Sequence, residues 1–120
     1  MKKFIHSLGF ATQGIASCFR KEQNFRIHVS AVVVVVFFGF LLQFSITQWC
    51  LVSLCFGLVL GMELMNSAVE KLCNFVQPNH DSDIKIIKDI SAGAVLIQAI
   101  SAFVVATIIG LNLLEIWKSM

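Results

Sequence analysis

The sequence predicts an all-α membrane protein, with an N-terminal amphipathic surface helix followed by three transmembrane helices. Two observations predict this class. Of the 120 residues, 58% are hydrophobic and 13% are charged, whereas soluble domains usually contain about 45–50% apolar and about 25% charged residues. The apolar residues also form long continuous runs, which differ from the short alternating strands of a membrane barrel. Because no linker-like segment interrupts the chain, we expect residues 1–120 to form a single membrane domain.

The first predicted element is an amphipathic helix at residues 1–21. Its apolar side chains recur near helical spacing while the lysines fall elsewhere, and these apolar positions are Phe4, Ile5, Leu8, Ile15 and Phe19. This pattern is typical of a helix that lies in the membrane interface. A helix packed on the core of the protein is the alternative that the same pattern allows.

Three later segments are long and apolar enough to cross a membrane, which takes about 20 residues in helical form. The first, residues 27–46, contains the run Val32 to Val36. The second, residues 49–76, must continue past Met62 to reach the length of a span. The third, residues 90–117, contains few polar residues. We therefore expect a chain that crosses the membrane three times.

The lysines and arginines near these spans predict their orientation. Five basic residues precede the first span, namely Lys2, Lys3, Arg20, Lys21 and Arg26. Three more lie between the second and third spans, namely Lys71, Lys85 and Lys88, and the link between the first and second spans has no basic residue. Because such residues concentrate on the cytoplasmic side, the N-terminus and the segment 71–89 should face the cytoplasm. The basic residues are sparse and lack interleaved aromatic residues, so we expect no nucleic-acid partner.

The segment "MELMNSAVEK", residues 62–71, places two carboxylates at the end of the second span. Glu70 should reach the membrane boundary, and Glu63 lies about 10 Å deeper at 1.5 Å per residue. A carboxylate at that depth is costly unless it faces protein or water, and its default interpretation is functional. Helical geometry places Glu63, Asn66 and Glu70 on one face. The second span is therefore predicted to carry a polar stripe.

Two further polar clusters, "EQNFRIH" at 22–28 and "KIIKD" at 85–89, should lie at a similar level. Carboxylates with a nearby lysine can bind a magnesium–nucleotide complex, and a deeper carboxylate can take a proton from a lipid hydroxyl. Neither a GxxxxGK[ST] nor a GxGxxG phosphate-binding segment is present. Two alternatives stay open: a non-catalytic scaffold held by an interhelical network, or an ion or solute transporter that uses Glu63 and Glu70 as cation sites.

The segment "MELMNSAVEKLCN", with "KDISAGAVL" beginning 18 residues after Glu70, closely resembles the bacterial integral-membrane diacylglycerol kinase and undecaprenol kinase family. The family's hallmark is a Glu-x-x-Asn-Ser/Thr-Ala-x-Glu segment followed by a Lys-Asp-x-x-Ala/Ser-Ala-Val-Leu-like segment. "EQNFRIH" is similar to the family's Glu-x-x-Phe/Met-Arg segment at the start of the first span. The resemblance covers essentially the whole chain.

The resemblance implies a homotrimer of the bacterial inner membrane, with active sites shared between subunits, that transfers the γ-phosphate of ATP to a lipid alcohol. It implies roles for ten residues: Glu63 as catalytic base, Glu22 and Glu70 as Mg²⁺ ligands, Asn66 and Arg26 as supporting polar residues, and Lys88, Asp89, Asn79, His80 and Asp81 as nucleotide-binding residues. Two positions depart from the family: Asn74 stands where an aspartate is usual, and His80 lies one residue earlier relative to Lys88 than the family's histidine. A solvated acidic loop is the alternative for Asn79, His80 and Asp81. The segments "NFRIHV" and "SAGAVL", together with Trp49, resemble the undecaprenol kinase branch more than the diacylglycerol kinase branch.

Overall fold

The computed structural model describes residues 1–120 as four helices: α1 (Lys2–Lys21), α2 (Gln23–Leu41), α3 (Ile46–Val76) and α4 (Ser82–Ser119). Three of them, α2, α3 and α4, are long and apolar enough to cross a membrane. The predicted all-α class, with three apolar helices that could span a membrane, is therefore confirmed, and α1 covers the predicted N-terminal segment.

The turn between α2 and α3 differs from the predicted boundaries. α2 begins at Gln23, four residues before the predicted span. It ends at Leu41, before the predicted limit of 46, because Gln43 adopts a left-handed φ of 56°. Ser45 then begins α3 with a reciprocal cap, in which its hydroxyl accepts from the Gln48 N–H and the Gln48 side chain accepts from the Ser45 N–H. The chain thus reverses within a few residues.

Close aromatic packing holds this turn together. The ring of Trp49 lies against Gly39, where an added Cβ would approach a ring carbon to 2.6 Å. The rings of Phe40 and Phe44 flank the same tryptophan, with centroid separations of 4.9 and 5.4 Å. Position 39 therefore has no room for a side chain while the tryptophan keeps this position.

Helices α3 and α4 contain 31 and 38 residues, more than a span requires. α4 begins at Ser82, well before the predicted start at Ile90, because the Asp81 carboxylate accepts hydrogen bonds from the N–H groups of Asp83 and Ile84. The apolar run marks only the part of a helix that suits the membrane, so it underestimates how far the helix continues.

α3 is the central helix of the fold. It packs along α4 and also contacts α1 and α2, whereas no Cα atom of α4 lies within 8 Å of α1 or α2. Polar contacts join α3 and α4 near both ends: Lys88 Nζ donates to Asn74 Oδ1 at 2.6 Å, and Gln48 Nε2 donates to Asn112 Oδ1 at 3.4 Å. Only 10 of the 120 residues are buried, so most apolar side chains are left to contact lipid or other protein chains.

Candidate functional site

The face of α3 that contacts α1 and α2 is polar where it is most enclosed. Glu63, Asn66 and Ser67 retain 3%, 8% and 5% of their accessible surface, and they are three of the ten buried residues of the chain. Burial of a carboxylate and an amide without full compensation is costly. The arrangement therefore needs an explanation other than packing.

Each of the first two helices brings a polar atom to this face. From α2, His28 Nε2 lies 3.9 Å from Glu63 Oε2. From α1, the buried Cys18 thiol lies 3.4 Å from the Ser67 hydroxyl, within the range of a sulfur hydrogen bond. The polar face of α3 is thus the place where α1, α2 and α3 meet.

The polar groups on this face are incompletely paired. The Oδ1 atom of Asn66 is buried and has no hydrogen-bond partner. The separation of 3.9 Å between His28 Nε2 and Glu63 Oε2 exceeds hydrogen-bond distance. An unpaired buried acceptor is uncommon in native proteins, and the protein itself supplies no donor to the Asn66 amide oxygen.

The two carboxylates predicted to bind metal lie on α3 and at the junction of α1 and α2. Glu22 and Glu70 are both half-buried. Glu70 lies about two turns beyond Glu63 on the same face of α3, and Glu22 lies between α1 and α2. No three His, Cys, Asp or Glu side chains are arranged to hold a metal ion by themselves. Mg²⁺ usually takes one or two carboxylates and completes its shell with substrate phosphates and water. By chemical type, the carboxylates of Glu22 and Glu70 suit this ion, with the substrate supplying other ligands.

The side chain of Arg26 contacts backbone carbonyl groups of α1. Its Nη1 atom donates to the carbonyl oxygens of Phe19 and Arg20, at 3.0 and 2.9 Å. These carbonyls belong to the last turn of α1, where helical partners are missing. Glu22 lies between the two helices with extended φ and ψ of −107° and 113°. Arg26 therefore fixes the α1–α2 elbow at which Glu22 is located.

Two residues predicted to bind nucleotide, Lys88 and Asp89, lie near the start of α4 and already have partners. Lys88 donates to the side-chain amide oxygen of Asn74 on α3. Asp89 accepts from Lys85 at 2.6 Å in an exposed i,i+4 ion pair. Neither contact includes the polar face around Glu63.

The other three predicted nucleotide contacts lie in the turn between α3 and α4. Asp81 caps α4, the backbone N–H of Asn79 donates to Gln77 Oε1, and His80 is exposed. Because α3 continues from Glu63 to Val76, the turn begins about 20 Å further along the helix axis at 1.5 Å per residue. The structure therefore does not bring these three residues to Glu63.

Three residues of this region were not predicted as site residues: His28, Cys18 and Ser67. Ser67 could have been found, since it follows Glu63 by four residues and shares its face. His28 gives a weaker signal as an ionisable residue at the start of an apolar run. The contact of Cys18 with α3 depends on how α1 packs against α3, and local sequence does not report this.

Comparisons with known proteins cover all of these positions. The family model described as prokaryotic diacylglycerol kinase matches residues 9–110. Undecaprenol kinase from Bacillus subtilis is 32% identical over 109 residues, which make up 91% of this chain and 89% of that protein. Diacylglycerol kinase from Synechocystis sp. is 35% identical over 100 residues, which make up 82% of this chain and 57% of that protein.

Proposed function

The chain belongs to the prokaryotic diacylglycerol kinase family, and we propose that it transfers the γ-phosphate of ATP to the hydroxyl group of a membrane lipid alcohol. Both relatives are named as kinases. Family membership favours this activity over the scaffold and the transporter, which a polar stripe alone would also allow. The chain is thus a lipid kinase in this proposal.

The observation that carries the proposal is the buried Glu63 beside the unpaired amide oxygen of Asn66 on an otherwise apolar helix. In the proposed reaction, the Glu63 carboxylate takes the proton of the lipid hydroxyl as the hydroxyl oxygen attacks the γ-phosphorus and ADP leaves. Asn66 supports the site with its free amide group. Because Glu63 lies in an apolar span, it is at a depth that a lipid hydroxyl can reach.

The phosphate side of the proposed site lies nearer the ends of the helices. Glu22 and Glu70 would hold Mg²⁺, which would offset the negative charge of the ATP phosphates. Lys88 would exchange its contact with Asn74 for a phosphate oxygen, next to Asp89. Asn79, His80 and Asp81 would contact the nucleotide outside the membrane. Arg26 would keep Glu22 in place through the elbow.

The proposed location is the bacterial inner membrane, with the N-terminus and the α3–α4 turn in the cytoplasm. The distribution of lysine and arginine supports this orientation. The apolar face of α1 would lie in the interface, and a homotrimer with shared active sites would cover part of the exposed apolar surface. The homotrimer rests on the family resemblance.

Undecaprenol is the substrate that we propose first, and diacylglycerol is the second candidate. The undecaprenol kinase of Bacillus subtilis matches over 89% of its own length, whereas the Synechocystis diacylglycerol kinase matches over 57%. The resemblance of "NFRIHV" and "SAGAVL" to the undecaprenol kinase branch points the same way. Polyprenol phosphorylation is therefore the activity to test first.

The test is a phosphorylation assay with purified protein in lipid nanodiscs, using radiolabelled ATP and undecaprenol, diacylglycerol or ceramide. We expect undecaprenol phosphate to form fastest and to require Mg²⁺. Absence of a phosphorylated product with all three lipids would disprove the kinase proposal. Faster phosphorylation of diacylglycerol would overturn only the choice of substrate.

A further inference from the structure

An apolar groove lies between α2 and α4 on the surface of α3. Both helices contact α3 but do not approach each other, so the groove between them is open. Its volume is about 380 Å³, within the range of small-molecule sites. Of its 20 lining residues 18 are hydrophobic, and His28 is the one with a polar side chain.

The groove follows much of the length of a span. It runs from His28 of α2 to Leu42, the residue just after this helix, which corresponds to about 21 Å at 1.5 Å per residue. On the α4 side, four of the lining residues have little or no side chain and leave space in the groove, namely Ala99, Ala102, Ala106 and Gly110. The hydrocarbon core of a bilayer is about 30 Å thick and holds no bulk water, so a space of this kind is filled by hydrocarbon or by another helix.

The polar end of the groove adjoins the proposed catalytic base. His28 lines the groove, whereas Glu63 lies behind it with a side chain only 4% exposed. A hydroxyl oxygen can be about 2.8 Å from both His28 Nε2 and Glu63 Oε2, because these atoms are only 3.9 Å apart. In that position, His28 donates to the hydroxyl oxygen and the hydroxyl proton points to Glu63.

We propose that this groove binds the hydrocarbon chain of the lipid alcohol and that His28 hydrogen-bonds the terminal hydroxyl beside Glu63. The inference rests on the proposed kinase function and adds the path of the substrate chain and a positioning residue. A molecule with one hydroxyl at the end of a hydrocarbon chain matches a groove with one polar group at its end. A helix from a second copy would leave this histidine with Glu63 at 3.9 Å, beyond hydrogen-bond distance.

The chain-binding part of the proposal is tested by a matched pair of valines on α2. Val33 and Val34 are adjacent and exposed at 63% and 53%, but only Val34 lines the groove. We expect Val34→Phe to raise the KM for undecaprenol about tenfold, equivalent to about 1.4 kcal/mol, with an unchanged KM for ATP. Val33→Phe should behave like the wild type in the same nanodiscs.

The hydroxyl-binding part is tested at His28. We expect His28→Leu to lower kcat/KM for undecaprenol about tenfold or more, while the KM for ATP is unchanged. His28→Gln keeps an N–H donor and should recover a substantial part of the loss, which a purely structural role would not predict. His6→Leu removes an exposed histidine of α1 and should have no effect.

The outcomes separate this inference from the proposed function. If the wild-type protein phosphorylates no lipid alcohol, the kinase proposal fails and the inference fails with it. If the wild type is active but Val34→Phe matches Val33→Phe, the kinase stands and the groove proposal is overturned. If Val34→Phe instead changes the oligomeric state measured by native mass spectrometry, a second copy occupies the groove and the proposal is likewise overturned.

Discussion

The polar face of α3 and the polar start of α4 contain similar residue types in opposite states. On α3, Glu63 and Asn66 are buried, and the Asn66 amide oxygen has no partner. On α4, Asp89 is exposed and paired with Lys85, while Lys88 is paired with Asn74 of α3. The polar groups of Glu63 and Asn66 in the first region are buried and lack hydrogen-bond partners, whereas those of the second region are accessible and paired.

In the proposed function, this difference marks where the chain gives up stability for binding. An unsatisfied buried polar group costs about 1–3 kcal/mol, whereas an exposed ion pair contributes about 0–1 kcal/mol. Apolar residues on the α3 face would avoid the cost, so in the proposed function the polar residues there serve substrate binding. Substitutions of these α3 residues should therefore affect activity far more than substitution of Lys85, the partner of Asp89 in the exposed pair.

The largest effect should come from Glu63→Gln. The amide keeps the size of the carboxylate but cannot accept the hydroxyl proton, so kcat should fall about 10²–10⁴-fold. The KM for ATP should remain unchanged, because Glu63 is not placed on the phosphate side. Glu115→Gln, at an exposed position near the end of α4, is the matched control. Wild-type kcat in Glu63→Gln would refute its assignment as the base.

A smaller effect is expected when one of the two proposed metal ligands is neutralised. Glu22→Gln and Glu70→Gln should each raise the Mg²⁺ concentration for half-maximal activity about tenfold, since one of two carboxylate ligands is lost. A magnesium titration of the kinase rate measures this change. High Mg²⁺ should restore much of the activity in these variants and none in Glu63→Gln. Identical titration curves for mutant and wild type would remove that residue from the metal site.

The common helix face of the α3 residues could be predicted from the sequence for a geometric reason. Inside one helix, the angle and depth of Glu63, Asn66 and Glu70 follow from their spacing alone. The approach of His28 from α2 and Cys18 from α1 could not be predicted in this way, because the positions of those helices on α3 depend on packing across the whole chain.

The ends of the helices could not be predicted from the apolar runs, because they depend on the conformation and hydrogen bonds of single residues. The start of α4 depends on the Asp81 cap, and the end of α2 depends on the left-handed conformation of Gln43. The hydropathy of the sequence reports neither the cap nor the left-handed residue. The contact of Arg26 with the carbonyls of α1 was also missed, because an arginine next to a membrane span has the same sequence signature whether it caps a helix or contacts a nucleotide.

Arg26 offers a milder test, because it affects the carboxylate region only through the elbow. In Arg26→Gln, the carbonyls of Phe19 and Arg20 lose their guanidinium donor, and Glu22 should be held less firmly. We expect about a threefold higher Mg²⁺ requirement, below the effect of Glu22→Gln, and faster hydrogen exchange near the end of α1. Lys21→Gln removes the same charge from an exposed neighbour and should change neither quantity. A loss of activity with unchanged exchange would instead indicate direct contact between Arg26 and the nucleotide.

The smallest effect should come from Lys85→Ala, which removes the exposed ion pair with Asp89. Pairs of this kind on a helix surface contribute about 0.3–0.5 kcal/mol, and salt screens them. Thermal unfolding should therefore show almost no change, and that change should disappear at high salt. Because Asp89 keeps its position on α4 without this partner, the KM for ATP should also stay at the wild-type value. A clear rise in that KM would mean that Lys85 orients Asp89 for the nucleotide, and the pairing at the start of α4 would then be part of the binding site.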